Sequence, residues 1–303
     1  MFNILVNVIL LSILLLYVIG NNIAILRDPS RYIGISNKYL IDLIIIVSIY
    51  SGLLIEGLKM HSIKYYVYSD IASNIIILAV LIHAIFFTLY GIPYSVTQGI
   101  IGGIIGASLY MNYQINLSYI NLVVALWILY PFINLTLSYG ISLSIRRRRR
   151  GILYLTHLTG ILGPFILGYV YGANTVGTIT SLSLIDIHWL FIIVLIIVPI
   201  STLFIGKAIG ETLSGRIYGL HPSAYISSII STTILIELAT QLSIPVPFSS
   251  LLTLGYIGPI FTYKTRIFRK MDIIKIFIFW VLNPLSTLFL VYILYFLIYP
   301  FPH

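Results

Sequence analysis

Two groups of small polar side chains interrupt an otherwise apolar chain of 303 residues. They are Asn22, Ser95, Thr97 and Gln98 in the first group and Asn174, Pro247, Ser249 and Ser250 at the equivalent positions of the second. Hydroxyls and amides donate hydrogen bonds, and the N–H groups at a helix start favour negative charge. We therefore expect these groups to bind an oxyanion. The alternative is that they only satisfy backbone groups at helix breaks or join helices.

The first group includes a break in membrane-type sequence, Gly91-Ile92-Pro93-Tyr94-Ser95-Val96-Thr97-Gln98, followed by a glycine-rich apolar run. A break in a bilayer persists only where protein or a wet cavity satisfies the freed backbone. The pattern predicts broken helices or re-entrant hairpins with the polar residues at the tip. Whether 71–110 and 222–262 are hairpins or full spans stays open.

Composition sets the class of protein. The chain is 59% hydrophobic and 8% charged, with a mean hydropathy of +1.06, whereas soluble domains carry about 25% charged residues. Several apolar runs, among them 71–90, 186–206 and 222–242, reach or approach the roughly 20 residues needed to cross a bilayer. We predict an all-α polytopic protein of the cell membrane without a cleavable signal. The absence of cysteine excludes disulfides, and no cofactor is expected.

A fixed offset relates the two parts of the chain. The pairs 152 residues apart are Gly20 with Gly172, Asn22 with Asn174, Ala72 with Ala224, Pro93 with Pro245, Gly103 with Gly255, and Gly106 with Gly258. At 153 residues, Trp127, Pro131 and Leu135 match Trp280, Pro284 and Leu288. We predict two membrane repeats of about five hydrophobic segments each, 1–145 and 152–303, joined by a basic cytoplasmic linker at 146–151.

Basic residues predict that the repeats are inverted. Segments 27–38 and 264–275 are rich in Lys and Arg, whereas their counterparts near 179–190 and 111–117 have none. Equivalent loops thus have opposite bias, as inverted-topology repeats require. Placing the basic loops in the cytoplasm puts both termini outside. The net charge of +9 is then explained by basic residues that keep loops in the cytoplasm, and no nucleic acid is expected as a partner.

Few ionisable groups lie in the apolar runs. Glu237 lies within 222–242 and is the best candidate for a proton-coupling carboxylate. Asp42, Glu56 and Asp186 lie near segment ends, where we expect solvated interface positions. No histidine pairs with another at metal-ligand spacing, so no metal site is predicted.

These motifs resemble a known family, the inorganic phosphate transporter (PiT) family. The segment from Gly91 resembles its pattern G-L-P-V-S-T-T-H-x-x-x-G-x-x-x-G, and Ile244-Pro245-Val246-Pro247-Phe248-Ser249-Ser250 resembles a second copy. Gly20-Asn21-Asn22-Ile23 and Gly172-Ala173-Asn174-Thr175 resemble its duplicated G-A-N-D motif. The resemblance implies ion-coupled secondary transport of phosphate by alternating access. The oxyanion would be held by Ser95, Thr97, Ser249, Asn22 and Asn174.

The chain also departs from the family. Ile23 and Thr175 replace the Asp of the two motifs, and Leu26 and Thr178 replace a second Asn. Without these carboxylates sodium coupling is in doubt, so sodium and protons both stay open. The predicted substrate-binding set is Asn22, Ser95, Thr97, Gln98, Asn174, Thr175, Ser249 and Ser250. The predicted coupling-ion set is Asn22, Asn174, Thr178 and Glu237.

Three alternatives remain beside phosphate transport. Sulfate fits neutral donors, because phosphate at neutral pH carries a proton that needs an acceptor. A membrane enzyme such as a lipid-linked transferase would need clustered acids for a metal and a diphosphate, and the cytoplasmic loops contain no such cluster, so we expect no enzyme. A non-transporting sensor of the same fold is the third. The sequence leaves homo-oligomer formation open.

Overall fold

The computed structural model describes residues 2–31, 37–67, 69–89, 94–147, 152–183, 185–205, 222–262 and 270–299. Within these ranges the regular structure is helical and contains no strand. Residues 206–221, which contain the predicted basic loop 207–216, and residues 263–269, part of the predicted basic loop 264–275, lie outside the described residues. So do most of the linker and residues Gly91 to Pro93.

The helices follow the predicted apolar segments. In the predicted first repeat they are α1 (Phe2–Arg31), α2 (Lys38–Ile55), α3 (Asp70–Leu89), α4 (Val96–Met111) and α5 (Leu117–Arg147), with a 3₁₀ stretch at Gly57–Tyr66. In the second they are α6 (Ile152–Val170), α7 (Gly177–Thr180), α8 (Ile187–Ile200), α9 (Pro222–Gln241), α10 (Phe248–Ile260) and α11 (Lys270–Ile298). Two π-helical turns, Tyr171–Val176 and Ser201–Ile205, follow α6 and α8.

Seven helices in the described part of the chain are long and apolar enough to cross a membrane. The predicted all-α polytopic membrane class is therefore confirmed. At each predicted break, a helix of 20 residues, α3 or α9, precedes a shorter one. The shorter helices, α4 and α10, have 16 and 13 residues. By length, only the second helix of each pair is too short to span about 30 Å.

The apolar runs 2–19 and 152–171 predict helices that end at the two Gly-x-Asn motifs, and this prediction is wrong. Helix α1 continues through Gly20 and Asn22 to Arg31. In the second repeat, Gly172 and Asn174 lie in the π turn that connects α6 to α7 without a gap. Glycine inside a helix costs only about 1 kcal/mol relative to alanine, so a glycine alone does not end a helix.

Close packing accounts for these glycines. A Cβ added at Gly20 would collide with the turn that contains Ser201, and one added at Gly172 would collide with the backbone of Ile49. Ile49 and Ser201 are themselves 152 residues apart. The two equivalent glycines thus make equivalent contacts, each with the opposite repeat.

The short helices α4 and α10 also pack reciprocally, each against a helix of the other predicted repeat. Gly106 of α4 packs against the backbone of Leu288 in α11, and Gly258 of α10 packs against the backbone of Leu135 in α5. Reciprocal contacts of this kind are what an approximate two-fold axis between the repeats produces. The division into repeats and their opposite insertion in the membrane remain predictions.

The expected interface position of Asp42 was wrong. Asp42 is buried, and the Arg27 guanidinium donates to it from Nε over 2.6 Å. Arg27 Nη2 also donates to the carbonyl of Thr202, at 3.0 Å. The arginine therefore joins α1, α2 and the π turn after α8, because a buried carboxylate needs a charged partner.

Candidate functional site

The first break, which ends at Ser95 before α4, contacts the second break, which lies between α9 and α10, through a hydrogen bond. Ser95 is the extended residue before α4 and caps that helix, accepting from the N–H of Gln98. The hydroxyl of Thr97 donates to the carbonyl of Val246 in the second break, at 3.2 Å, and lies 3.1 Å from the hydroxyl of Ser95. Because the proton of Thr97 is used at Val246, the proton of Ser95 is directed to Thr97. All three side chains, with Gln98, are buried.

Asn174 organises the second break, which lies between α9 and α10. Its Oδ1 accepts from the N–H of Val246, and its Nδ2 donates to the carbonyl of Ile244 and to the hydroxyl of Thr240, all at 3.0 Å. The amide of Asn174 thus replaces hydrogen bonds that the interrupted helix cannot make. This is the backbone-satisfying role that the sequence offered as the alternative to binding.

Asn22 has different partners from Asn174. It is half-buried, and its Nδ2 donates to the carbonyl of Val18 in its own helix at 2.8 Å. A longer contact of 3.4 Å reaches the hydroxyl of Tyr171. The ring of Tyr171 packs edge-to-face on Phe248 at the start of α10, with centroids 5.0 Å apart. Asn22 therefore lies beside the second break rather than bonded to it.

Three predicted hydroxyls have no hydrogen-bond partner within the described ranges. Ser249 and Ser250 lie half-buried in the first turn of α10, where Pro247 supplies no side-chain cap. The Oγ1 of Thr175 is fully buried and also lacks a partner among the described residues. These groups are available to donate to a ligand.

Trp127 and Asn283 are part of the site, although no sequence pattern predicted them there. Trp127 Nε1 donates to the carbonyl of Pro245 at 2.7 Å, which satisfies the second break from the first repeat. Asn283 of α11 donates from Nδ2 to the carbonyl of Ser95 at 3.0 Å. The repeated tryptophan and proline lie in α5 and α11 and could have indicated these helices. Asn283 is the polar residue directly before Pro284 in that repeated segment.

The predicted coupling residues Thr178 and Glu237 lie apart from the tips. The hydroxyl of Thr178 donates to the backbone carbonyl of Asn174, one turn earlier, at 2.6 Å. Glu237 is only half-buried, one turn before the end of α9, where Gln241 donates to it at 2.5 Å. In the described part of the chain, no group of three His, Asp or Glu residues could hold a metal ion.

An apolar cleft of about 530 Å³ lies beside the site, between α4, α5 and α11. Gln98 is its polar boundary, and the rest of its lining is apolar side chains and glycine. An oxyanion would lose its hydration there without gaining donors. The cleft is therefore not the anion site.

Part of the sequence and the fold of the chain are similar to known proteins. Residues 46–156, which include the first break, match the model of the phosphate transporter family. A solved structure described as "The sodium-dependent phosphate transporter" has a TM-score of 0.80 at 15% identity, over 98% of this chain and 99% of that chain. The resemblance to the phosphate transporter family is confirmed. The findings are consistent with a divergent member, and no curated protein sequence matches the chain.

The phosphate transporter fold extends beyond the matched residues. The structural likeness covers almost the whole chain, so it includes the second break and α11, which the family model does not reach. The low identity means that the likeness concerns the fold. The roles of individual site residues therefore rest on the geometry given above.

Proposed function

We propose that this protein transports an inorganic oxyanion, phosphate, across the membrane as a secondary active transporter. The observation that carries the proposal is the contact between the two breaks through Thr97 and Val246. It brings two helix starts, those of α4 and α10, to one buried place. Helix starts with free N–H groups bind phosphate-like anions in many folds.

The anion would be held by neutral donors from both repeats. Ser95 and Thr97 would donate from the first break, and Thr175, Ser249 and Ser250 from the second repeat, together with backbone N–H groups of the first helical turns. Thr97 would exchange its bond to Val246 for one to the anion. That exchange separates the two breaks, so binding is linked to movement of one repeat against the other.

The proposed movement depends on the repeats being duplicated and inserted in opposite directions. The reciprocal glycine contacts support the duplication, and the opposite charge bias of equivalent loops supports opposite insertion. Rocking of inverted repeats around a central site exposes it to one side and then the other. We propose this alternating access in the cell membrane, with both termini outside.

We also propose that transport is coupled to protons rather than to sodium. The similar solved protein is described as sodium-dependent, but this chain has Ile23 and Thr175 where the family has Asp. Hard cations prefer several oxygen ligands, usually including carboxylates. The tip residues Ser95, Thr97 and Asn174 have no carboxylate among their hydrogen-bond partners in the described part of the chain.

A pair of carboxyl groups at the end of α9, Glu56 and Glu237, could carry the proton. Gln241 Nε2 donates to Glu56 at 2.9 Å and to Glu237 at 2.5 Å, and Lys59 lies 3.4 Å from Glu56. Burial opposes ionisation of Glu56, but hydrogen bonds with Glu237 and Gln241 and the charge of Lys59 lower its pKa. Because Lys59 pairs with Glu56, we propose that Glu237 carries the proton. Thr240, beside Gln241, connects this end of α9 to Asn174.

We expect Glu237→Gln to reduce proton-driven phosphate uptake to background, because glutamine cannot release a proton. Phosphate exchange across the membrane without a gradient should continue. Both are measured in proteoliposomes with labelled phosphate. Asp186→Asn, at an exposed helix cap, is the control and should behave as wild type. Uptake that follows a sodium gradient and ignores a proton gradient would overturn proton coupling.

The binding site is tested by a double variant, Ser95→Ala with Ser249→Ala. Each hydrogen bond to a charged group contributes about 1.5–3 kcal/mol, so losing two of them should lower uptake at low phosphate by at least about a hundred-fold. Ser144→Ala, an exposed serine of α5, is the control. Unchanged uptake in the double variant would remove the proposed site but not the fold. If wild type accumulates neither phosphate nor sulfate under any gradient, the transport proposal fails.

A further inference from the structure

One buried acceptor at the first break has no partner. Asn283 is 1% exposed, and its Oδ1 has no hydrogen-bond partner among the described residues. An orphaned polar atom in a protein interior is uncommon, and leaving an acceptor unsatisfied costs about 1–3 kcal/mol. Such an atom beside a binding site suggests a group that a ligand completes.

The orientation of the Asn283 amide is set by its neighbours. Its nitrogen lies 3.0 Å from the carbonyl of Ser95 and 3.5 Å from Oε1 of Gln98. A backbone carbonyl can only accept, so the amide nitrogen must face Ser95. Oδ1 is therefore the end of the amide that remains free. The bond from Nδ2 places the amide of Asn283 beside Ser95, the capping residue of α4, where the anion is proposed to bind.

The other groups proposed to hold the anion donate hydrogen bonds to it, whereas Oδ1 of Asn283 is a hydrogen-bond acceptor. A carbonyl oxygen repels a fully ionised oxyanion but accepts a hydrogen bond from a P–OH group. Phosphate at neutral pH still carries an O–H group, whereas sulfate has none. A site built to bond a substrate hydroxyl discriminates strongly against an analogue that lacks it, because its own polar group is then left unpaired.

We propose that Asn283 is a specificity-determining residue whose Oδ1 accepts the P–OH proton of phosphate, so that the site selects phosphate over sulfate. The inference rests on the proposed oxyanion transport and gives a structural reason for phosphate as its substrate. It resolves the choice between phosphate and sulfate that neutral donors alone leave open. No carboxylate is needed for this selection, which fits a chain that lacks the family's Asp residues.

The test is competition in proteoliposomes, with labelled phosphate uptake inhibited by unlabelled sulfate or phosphate. In wild type we expect sulfate to inhibit at least about a hundred-fold more weakly than phosphate. Asn283→Leu, similar in size but without an acceptor, should reduce that ratio to about ten-fold or less. A purely structural role, through the bond to Ser95, would weaken both anions equally and leave the ratio unchanged.

Thr287→Val is the matched control. Its hydroxyl lies one turn further along α11 and is satisfied by the backbone carbonyl of Asn283 at 3.1 Å. Removing it should leave the ratio of the two anions at the wild-type value. Sulfate that inhibits wild type as well as phosphate does, or an Asn283→Leu ratio equal to wild type, would overturn the inference. Neither result would contradict oxyanion transport, which fails only if wild type takes up neither anion.

Discussion

Replacing Asn174 with leucine should lower the free energy of unfolding by about 4 kcal/mol, because the second break would lose the amide that satisfies it. The carbonyl of Ile244 and the N–H of Val246 would be left buried without a partner. Each such group costs about 1–3 kcal/mol. The measurement is unfolding in mixed detergent micelles, with phosphate uptake followed in parallel. We expect uptake to disappear, since both breaks would lose their relative position.

Asn22→Leu is the matched control for this prediction. Asn22 is the equivalent residue of the first repeat, but its main partner is the carbonyl of Val18 in its own helix. Losing that bond leaves no break unsatisfied within the described residues, so the cost should be about 1 kcal/mol or less. Equal destabilisation by the two variants would contradict the asymmetry of the two asparagines.

The second large effect concerns the reciprocal glycines. We expect Gly106→Ala and Gly258→Ala each to destabilise the protein by about 2 kcal/mol, because overpacking costs up to about 3 kcal/mol and the gain in helix propensity is about 1 kcal/mol. Each added methyl group would collide with a backbone carbonyl, that of Leu288 or that of Leu135. The same unfolding measurement applies, with expression level as a second readout.

Gly140→Ala provides the control, since a Cβ added there meets no atom within 4 Å. Gly140 is exposed in α5, and alanine should stabilise that helix by about 0.5–1 kcal/mol. Similar losses for Gly106 and Gly258 would support the duplicated packing. A gain in stability for either of them would show that the close helix contacts described here do not form.

The positions of the helices were largely predictable from the sequence. The segments predicted at 71–90, 186–206 and 222–242 differ by a residue or so from α3, from α8 with its π turn, and from α9. Hydropathy is reliable here because backbone groups in lipid must be satisfied within a helix. The first break was predictable for a related reason, since proline and small polar residues rarely interrupt such a run without protein to cover them.

Glycine shows where the sequence was ambiguous. Gly20 and Gly172 were interpreted as helix breaks, but both lie within helical backbone and allow close contact between helices. Either use requires the absence of a side chain, so residue type could not distinguish them. The partner helix decides which use applies. The buried pair of Arg27 with Asp42 is a similar case, because a charge near a segment end can face water or a neighbouring helix.

The sequence by itself determined the class of protein, the duplicated motifs and the two places where helices break. Only the tertiary structure decided which side chains serve those breaks. Asn283 reaches Ser95 across 188 residues of sequence, and the equivalent Asn22 and Asn174 have different partners. The reason is physical: hydropathy acts locally through the solvent that each segment meets, whereas a hydrogen bond depends on which atoms the packed helices bring within about 3 Å.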